Sequence, residues 1–493
     1  MEIILIPIIA ALVTAGLGKR SNVWISTLLS LIPLAVLYTY FTRFGVDTGW
    51  KTIFDLPWIS ENIRFTLGFD GLTGMLLLLT NLMVPVIVMA GIRDDENRVK
   101  LTALTLFMQG ALNGVFMAQD GLMFYIFWEL ALIPIYFITL TMSGENAFKI
   151  TLRFFLYTFI GSLAMLASLL YLFLHTADYS FSFEALRAVE LSRIESIWVG
   201  AGILLAFAVK IPLLPFHSWQ ADTYTHSPAA GSMLLSGIML KMGLYGLLRW
   251  YLPLAPESIE FFQPWIIGLS VAGVLYGALI AIRQKDMKRL IAFSSVAHMG
   301  FVMLGISTLT SFGMTAAMFG MVAHGLITGM LFFVAGSVKE RYHTLEIARL
   351  GGILKQMPHL GWILGFSCMA SLGLPGLAGF WGEFPAILSA YSPAAGLNET
   401  VFRVYMVIAA LGTVLAAAYL LWLFQRVAFG EPKPEFAGDG HGHDDHAFHD
   451  VNKFEWFAWT PLLIAILVFG VVPNLMFKVL DPAVQVVLSG FKG

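Results

Sequence analysis

The chain has 493 residues, of which 58% are hydrophobic and 12% charged, with a mean hydropathy of +0.79. Soluble proteins carry about 25% charged residues, so this composition excludes an ordinary soluble fold. A net charge of −2 says nothing about nucleic acid, but the chain has no basic tract of the kind such binding needs, and the single cysteine, Cys368, excludes a disulfide framework, an iron–sulfur cluster and a thiolate zinc site.

Windows of about 20 predominantly apolar residues, enough to cross a bilayer, fall at 2–18, 23–42, 70–92, 101–119, 121–141, 150–175, 196–216, 228–252, 261–282, 290–308, 312–337, 359–390, 401–429 and 455–480. The expected fold is an all-α polytopic membrane protein with about 14 transmembrane helices. The first window opens on Glu2 and precedes Lys19 and Arg20, so it reads as a retained helix and not a cleaved signal. Residues 43–69 hold Pro57 and the alternation Ile63-Arg64-Phe65-Thr66-Leu67, which suggests a short hairpin. Residues 176–195 read as a polar connection, and 430–454 as a loop rich in His, Asp and Gly. About thirteen residues follow the last window, too few for an appended lateral arm. Connections after odd-numbered spans carry twice the lysine and arginine of the other face, which places both termini outside.

Two windows are interrupted. The seventh reads FAVKIPLLPFHSW (207–219), with Pro212 and Pro215 just beyond Lys210. The twelfth reads LGLPGLAGFWGEF (372–384), where Gly373, Pro375 and Gly376 cannot sustain a regular helix. With spans 4–8 and 9–13 taken as two inverted five-helix repeats, both breaks fall in the fourth helix of their unit. Proline kinks alone are common in membrane helices. Breaks at matching positions of two halves point to a transport site. The expected organisation is an N-terminal group of helices at 1–100, half-channels at 101–252 and 253–430, and a loop with the last helix at 431–493.

Three ionisable residues interrupt otherwise apolar spans: Glu129 in FWELALIPIYF (127–137), Lys210, and Lys241 in SMLLSGIMLKMGLYGLLR (232–249). A charge at mid-bilayer costs about 2.5–3.5 kcal/mol or more, a penalty apolar residues would avoid, so these positions read as an ion or proton path. Arg249 reads as the end anchor of Lys241's helix. His298 in FSSVAHMGFV and His324 in MVAHGLITGMLF admit three readings: satisfied core imidazoles, paired haem ligands, or proton relays. Ser294, Ser295 and Thr328, each within a turn, favour a hydrated hydrogen-bond chain. Glu383, just past the twelfth-span break, reads as the far end of the path, and His217 at the seventh-span break as lining or relay. The run HGHDDHAFHD (441–450) has no regular helix signal and reads as a solvated loop, with adventitious metal binding the lesser alternative.

These segments, with AVKIPLLPFHSWQADTYTHSPAAGS (208–232), DMKRLIAFSSVAHMGFV (286–302) and GLPGLAGFWGEF (373–384), resemble the antiporter-like subunits of the respiratory complex I membrane arm. The resemblance is strong over residues 70–430. It implies proton translocation, with Glu129 and Lys210 as the ion pair of the first half-channel and Lys241 as the central relay. His298 and His324 would bridge to the second half and Glu383 would be the outlet, in the variant of the family that carries glutamate where two sister pumping chains carry lysine. It further implies sister antiporter-like chains as partners, and NADH, FMN, iron–sulfur clusters and quinone held by other subunits; the sequence does not distinguish bacterial from organellar membranes, and the expected location is a bacterial plasma membrane. No glycine loop for a nucleotide stands in this chain. A sodium/proton antiporter subunit, a membrane-bound hydrogenase subunit and a haem-binding cytochrome subunit are the competing readings, and whether sodium is carried is left open.

Overall fold

The structure is a computed structural model that describes residues 1–46, 49–91, 97–142, 146–436 and 449–492. Among the described residues, twelve unbroken helices are long and apolar enough to cross a membrane. At the seventh and twelfth windows the helices are interrupted.

Helices α1 (Glu2–Leu17) and α2 (Val23–Phe44) lead into a hairpin of β1 (Lys51–Ser60) and β2 (Ile63–Phe69). The strands pair antiparallel, Asp55 opposite Thr66 and Pro57 opposite Arg64. Arg64 Nε and Nη2 each donate to the Asp55 carboxylate at 2.8 Å, which fixes the register from one side. The expected hairpin is therefore present, and its side of the molecule is termed the hairpin face.

Helices α3 (Gly71–Gly91), α4 (Arg98–Met117), α5 (Gly121–Met142) and α6 (Ala147–His175) follow as an up-and-down series. Buried amides clamp its start: Asn81 and Asn113 bond each other at 3.1 Å, Gln109 donates to Asn81 at 2.9 Å, and Asn113 donates to the Ile3 carbonyl. Between the apolar surfaces of α1, α3 and α4 such amides would be costly unless paired. Apart from the Gln109 side-chain oxygen they are paired, so they pin the helices in one arrangement.

After the one-turn helix α7 (Phe183–Arg187), α8 (Arg193–Lys210) enters through a complete capping box at Ser192 and Glu195 and stops at Lys210. The chain turns irregularly through Pro212 and Pro215 before α9 (Gln220–His226). Trp219 Nε1 donates to the Val209 carbonyl at 3.1 Å, satisfying a group the break releases. The continuous helix α10 (Ala229–Leu254) contains two π segments, Leu235–Met239 and Leu247–Tyr251.

The second unit runs through α11 (Pro256–Ile282), α12 (Met287–Ser307) and α13 (Ser311–Tyr342). After the short α14 (Ile353–Gln356), its fourth span is split into α15 (Pro358–Ser371) and α16 (Ala378–Ser389), then closed by α17 (Glu399–Ala428). At the split, Gly373 has φ +80° and Gly376 φ +95°, conformations that only glycine adopts freely. Counting helices from the hairpin, α4 starts on the opposite face and α11 on the hairpin face, so the two successive groups of helices start from opposite faces.

The apolar windows of α10, α12 and α13 are completely buried, whereas only a third of the residues are buried in those of α1, α2 and α17. Three central helices are thus wrapped by the rest, and the ionisable residues of the second unit lie on or against them.

The C-terminal expectation is corrected. The last apolar window divides at Pro473 into α18 (Lys453–Val471) and a separate α19 (Asn474–Lys492). Helix α19 buries Met476, Leu480, Ala483, Val484, Val487 and Leu488 at helical spacing and leaves Lys478 and Ser489 on other sides. Its single apolar stripe packs against α3 and α13 along the hairpin face, where Arg187 donates to the Gly490 carbonyl. A continuous hydropathy window cannot distinguish one span from a span plus an amphipathic helix. Of the His-rich run 441–450, residues 441–448 lie outside the described residues.

Candidate functional site

Helix α8 delivers Lys210 to the first break, where its side chain is 2% exposed. The ammonium lies 5.2 Å from the centre of the Trp128 ring and makes no hydrogen bond to the protein. Glu129, the next residue on α5, sits close enough for its charge to act on Lys210, with the Ser162 hydroxyl beside it. The two do not touch, and one carboxylate oxygen of Glu129 is buried without a partner. Glu129 and Lys210, the ion pair implied by the resemblance, thus face each other through space and without a hydrogen bond.

Lys210 rests against α10. A Cβ at Gly243 would come within 2.8 Å of Ile211 Cγ1 and 3.3 Å of Lys210 Cβ. Gly243 therefore admits the end of α8 only two residues past Lys241.

Lys241 is wholly buried and donates to the Ser236 carbonyl at 2.6 Å, within the first π segment. A π turn widens the helix and alters its carbonyl bonding, which gives the ammonium an acceptor inside its own helix. The second partner of Lys241 is His324 Nδ1 on α13, at 2.9 Å. Glycines permit that approach: a Cβ on Gly325 would lie 2.6 Å from the Gly237 carbonyl of α10.

From His324 the series continues. Its ring centre is 5.7 Å from that of His298 on α12. His298 Nδ1 lies 2.5 Å from Glu383 Oε1 on α16, and its Nε2 lies 3.3 Å from both the Ser371 and Tyr419 hydroxyls. Gly320 and Gly382 let α13 and α16 approach, since a Cβ on Gly320 would meet the Gly382 carbonyl at 3.2 Å. His298, His324, Thr328, Ser371 and Glu383 line a cavity with about 20 Å³ for the centre of a water molecule, room for about one. That space cannot take a porphyrin, so the paired-haem reading of the histidines is set aside.

Of the supporting residues, Ser295 joins the site through the Ser236 hydroxyl at 3.2 Å and Thr328 through the cavity wall. Ser294 lies beside Tyr419. His217 is apart: its Nε2 meets the Tyr276 hydroxyl of α11 at 3.1 Å and touches none of the six principal residues.

Arg249 corrects its reading as an end anchor. It is 3% exposed, ion-paired with Asp70 at the start of α3, and its guanidinium lies 4.3 Å from the centre of the Trp50 ring. Asp70, Ser236, Ser371 and Tyr419 were not singled out by sequence. Asp70 sits at a helix start, where aspartate is an ordinary cap, and the others are common residue types whose partners lie far away in the chain.

A family described as NADH:quinone oxidoreductase/Mrp antiporter, transmembrane, matches residues 118–412. The chain is 36% identical to an NADH-quinone oxidoreductase subunit M of Rickettsia conorii, over 88% of this chain and 85% of the relative. It is 34% identical to the protein of the same description from Rhodobacter capsulatus, over 98% and 94%. In structure it is similar to a chain of respiratory complex I from Thermus thermophilus, with a TM-score of 0.88, 30% identity and coverage of 100% and 99%. A chain of the Mrp complex from Dietzia shares the fold, with a TM-score of 0.84 at 18% identity over 100% and 98%.

Proposed function

This chain belongs to the NADH:quinone oxidoreductase/Mrp antiporter transmembrane family, and we propose that it carries protons along the series Glu129, Lys210, Lys241, His324, His298 and Glu383. It is a proton-translocating membrane subunit of NADH:quinone oxidoreductase, of the M type, and so part of a translocase whose redox chemistry is done elsewhere. NADH, FMN, iron–sulfur clusters and quinone belong, in this reading, to partner subunits. The direct neighbours are sister antiporter-like chains in a bacterial plasma membrane. Both termini and the hairpin face lie outside, a placement supported by the lysine and arginine bias of the opposite face.

The observation that carries the reading is the buried line from Lys241 through His324 and His298 to Glu383, hydrogen-bonded at its first and last steps and, at the middle one, with ring centres 5.7 Å apart and a buried His324 Nε2 beside the water-sized cavity. Every member can take up and release a proton. Lys210 and Glu129 stand at the other break, and the Lys210 ammonium has no protein acceptor. Water bridging Lys210 to Lys241 completes the line.

Moving one proton against about 200 mV costs roughly 4.6 kcal/mol. One unit charge about 6 Å away, at an effective dielectric of about 20, supplies roughly 2.8 kcal/mol. A single neighbour is insufficient, which is why a series of coupled groups is required. Redox events in the partners would change the charge state at one end and displace protons stepwise along it.

The test is Glu129→Ala and Lys210→Ala, each in the assembled complex. Proton pumping and quinone-coupled turnover are expected to vanish while assembly survives. Wild-type pumping in either variant would remove that residue from the path. A sodium/proton antiporter reading is separated from this one by purification in mild detergent, which should bring down an NADH-oxidising arm.

A further inference from the structure

Lys241, Tyr245 and Arg249 are spaced four residues apart on α10, and all three are buried. Such residues form one column on a helix, here leading from Lys241 at mid-membrane toward the hairpin face. This is a second direction in which a proton on Lys241 could leave, besides the branch through His324.

The two directions end in different chemistry. The His324 branch consists of groups that exchange protons. On the other branch, the Tyr245 hydroxyl donates to the Phe116 carbonyl at 2.7 Å and lies 3.3 Å from the Thr73 hydroxyl. Beyond it, Arg249 is bound to Asp70, whose second oxygen accepts from the Thr73 backbone at 2.9 Å. Trp50, next to the hairpin, closes over the guanidinium. Arginine does not give up its proton in proteins, so it can conduct nothing. A buried ion pair is also weak evidence for added stability, so stability alone does not explain this one.

We propose that the Asp70–Arg249 pair, under Trp50, is a proton seal that closes the direct route from Lys241 to the hairpin face and commits the proton to His324, His298 and Glu383. The proposal rests on the reading of Lys241 as a relay.

The variant that separates a seal from a structural ion pair is Arg249→Lys. Lysine keeps the charge and can pair with Asp70, but it releases its proton when buried. The whole NADH:quinone oxidoreductase complex carrying this variant is placed in proteoliposomes, and the decay of an imposed pH difference is followed without NADH. The decay is expected to run several-fold faster than in wild type, with fewer protons pumped per NADH at unchanged uncoupled turnover. Adding Lys241→Ala to Arg249→Lys is expected to return the leak to the wild-type rate. Should the lysine variant not assemble, Arg249→His introduces a releasable proton at the same place and is read in the same way.

A wild-type decay rate in the variant overturns the seal. A leak that persists after Lys241→Ala overturns it too, because loosened packing then explains the flux. Failure of the relay reading is distinct: Lys241→Ala alone would then pump normally.

Discussion

Glu383→Gln tests the last transfer of the series. The carboxylate sits 2.5 Å from His298 Nδ1 and is 9% exposed, on a helix that begins just past the break at Gly373–Gly376. Two unit charges about 4 Å apart at an effective dielectric of about 20 attract by about 4 kcal/mol. Moving a proton against about 200 mV costs roughly 4.6 kcal/mol, so the charge of Glu383 supplies most of what draws a proton as far as His298. Glutamine fills the same space and still offers a carbonyl acceptor, so packing between α12 and α16 should survive. Proton uptake by inverted membrane vesicles, followed with a pH-sensitive dye during NADH oxidation, is expected to fall by at least tenfold. The NADH-oxidising activity measured with an electron acceptor that bypasses the membrane arm should be unchanged. Pumping above half the wild-type rate in Glu383→Gln would refute the reasoning, because the pair would then be ornamental to the proton's movement.

Two further substitutions probe the scaffold. Gly325→Ala places a Cβ 2.6 Å from the Gly237 carbonyl, a backbone atom with little room to yield. The complex is expected to lose about 1–3 kcal/mol of stability by overpacking and most of its pumping, as the Lys241–His324 contact opens; wild-type pumping with an intact complex would contradict this. Asp120, in the turn between α4 and α5, is buried, and burial pushes its carboxyl up to about 6. The folded chain therefore holds this proton more tightly than the unfolded chain, so stability from this group is full at low pH and declines as pH rises from about 4 to about 6. Asp120→Asn keeps an acceptor for the Leu122 and Met123 amides, and should raise thermal stability at pH 7 by up to about 3 kcal/mol. An unchanged pH slope in that variant would show that Asp120 is not the titrating group.

Much of the site was legible because charge in an apolar span is so costly that it announces itself. Glu129, Lys210 and Lys241 stood out on this ground alone, and the proline and glycine runs beside Lys210 and Glu383 marked the two places where the helices break. The histidines were ambiguous because imidazole suits several environments, and the proposal that they relay protons rests on their distances to Lys241 and Glu383. Partnerships across the chain were not legible. Lys241 meets His324 across 83 positions and Arg249 meets Asp70 across 179. Nothing local distinguishes an arginine that anchors a helix end from one buried against an aspartate in another helix. Helix α19 was hidden for a different reason: its apolar stripe merged with the preceding span into one hydropathy window, and only Pro473 hinted at the division.

The claim on which the account depends is a continuous line of proton carriers at mid-membrane from Glu129 to Glu383. The most direct measurement is a density map of the assembled complex at a resolution that shows ordered water. The account predicts water bridging the Lys210 and Lys241 ammonium groups, and one further molecule in the cavity between His324 and Glu383. Dry packing between the two lysines, or ammonium groups turned out to the lipid headgroups, would contradict it.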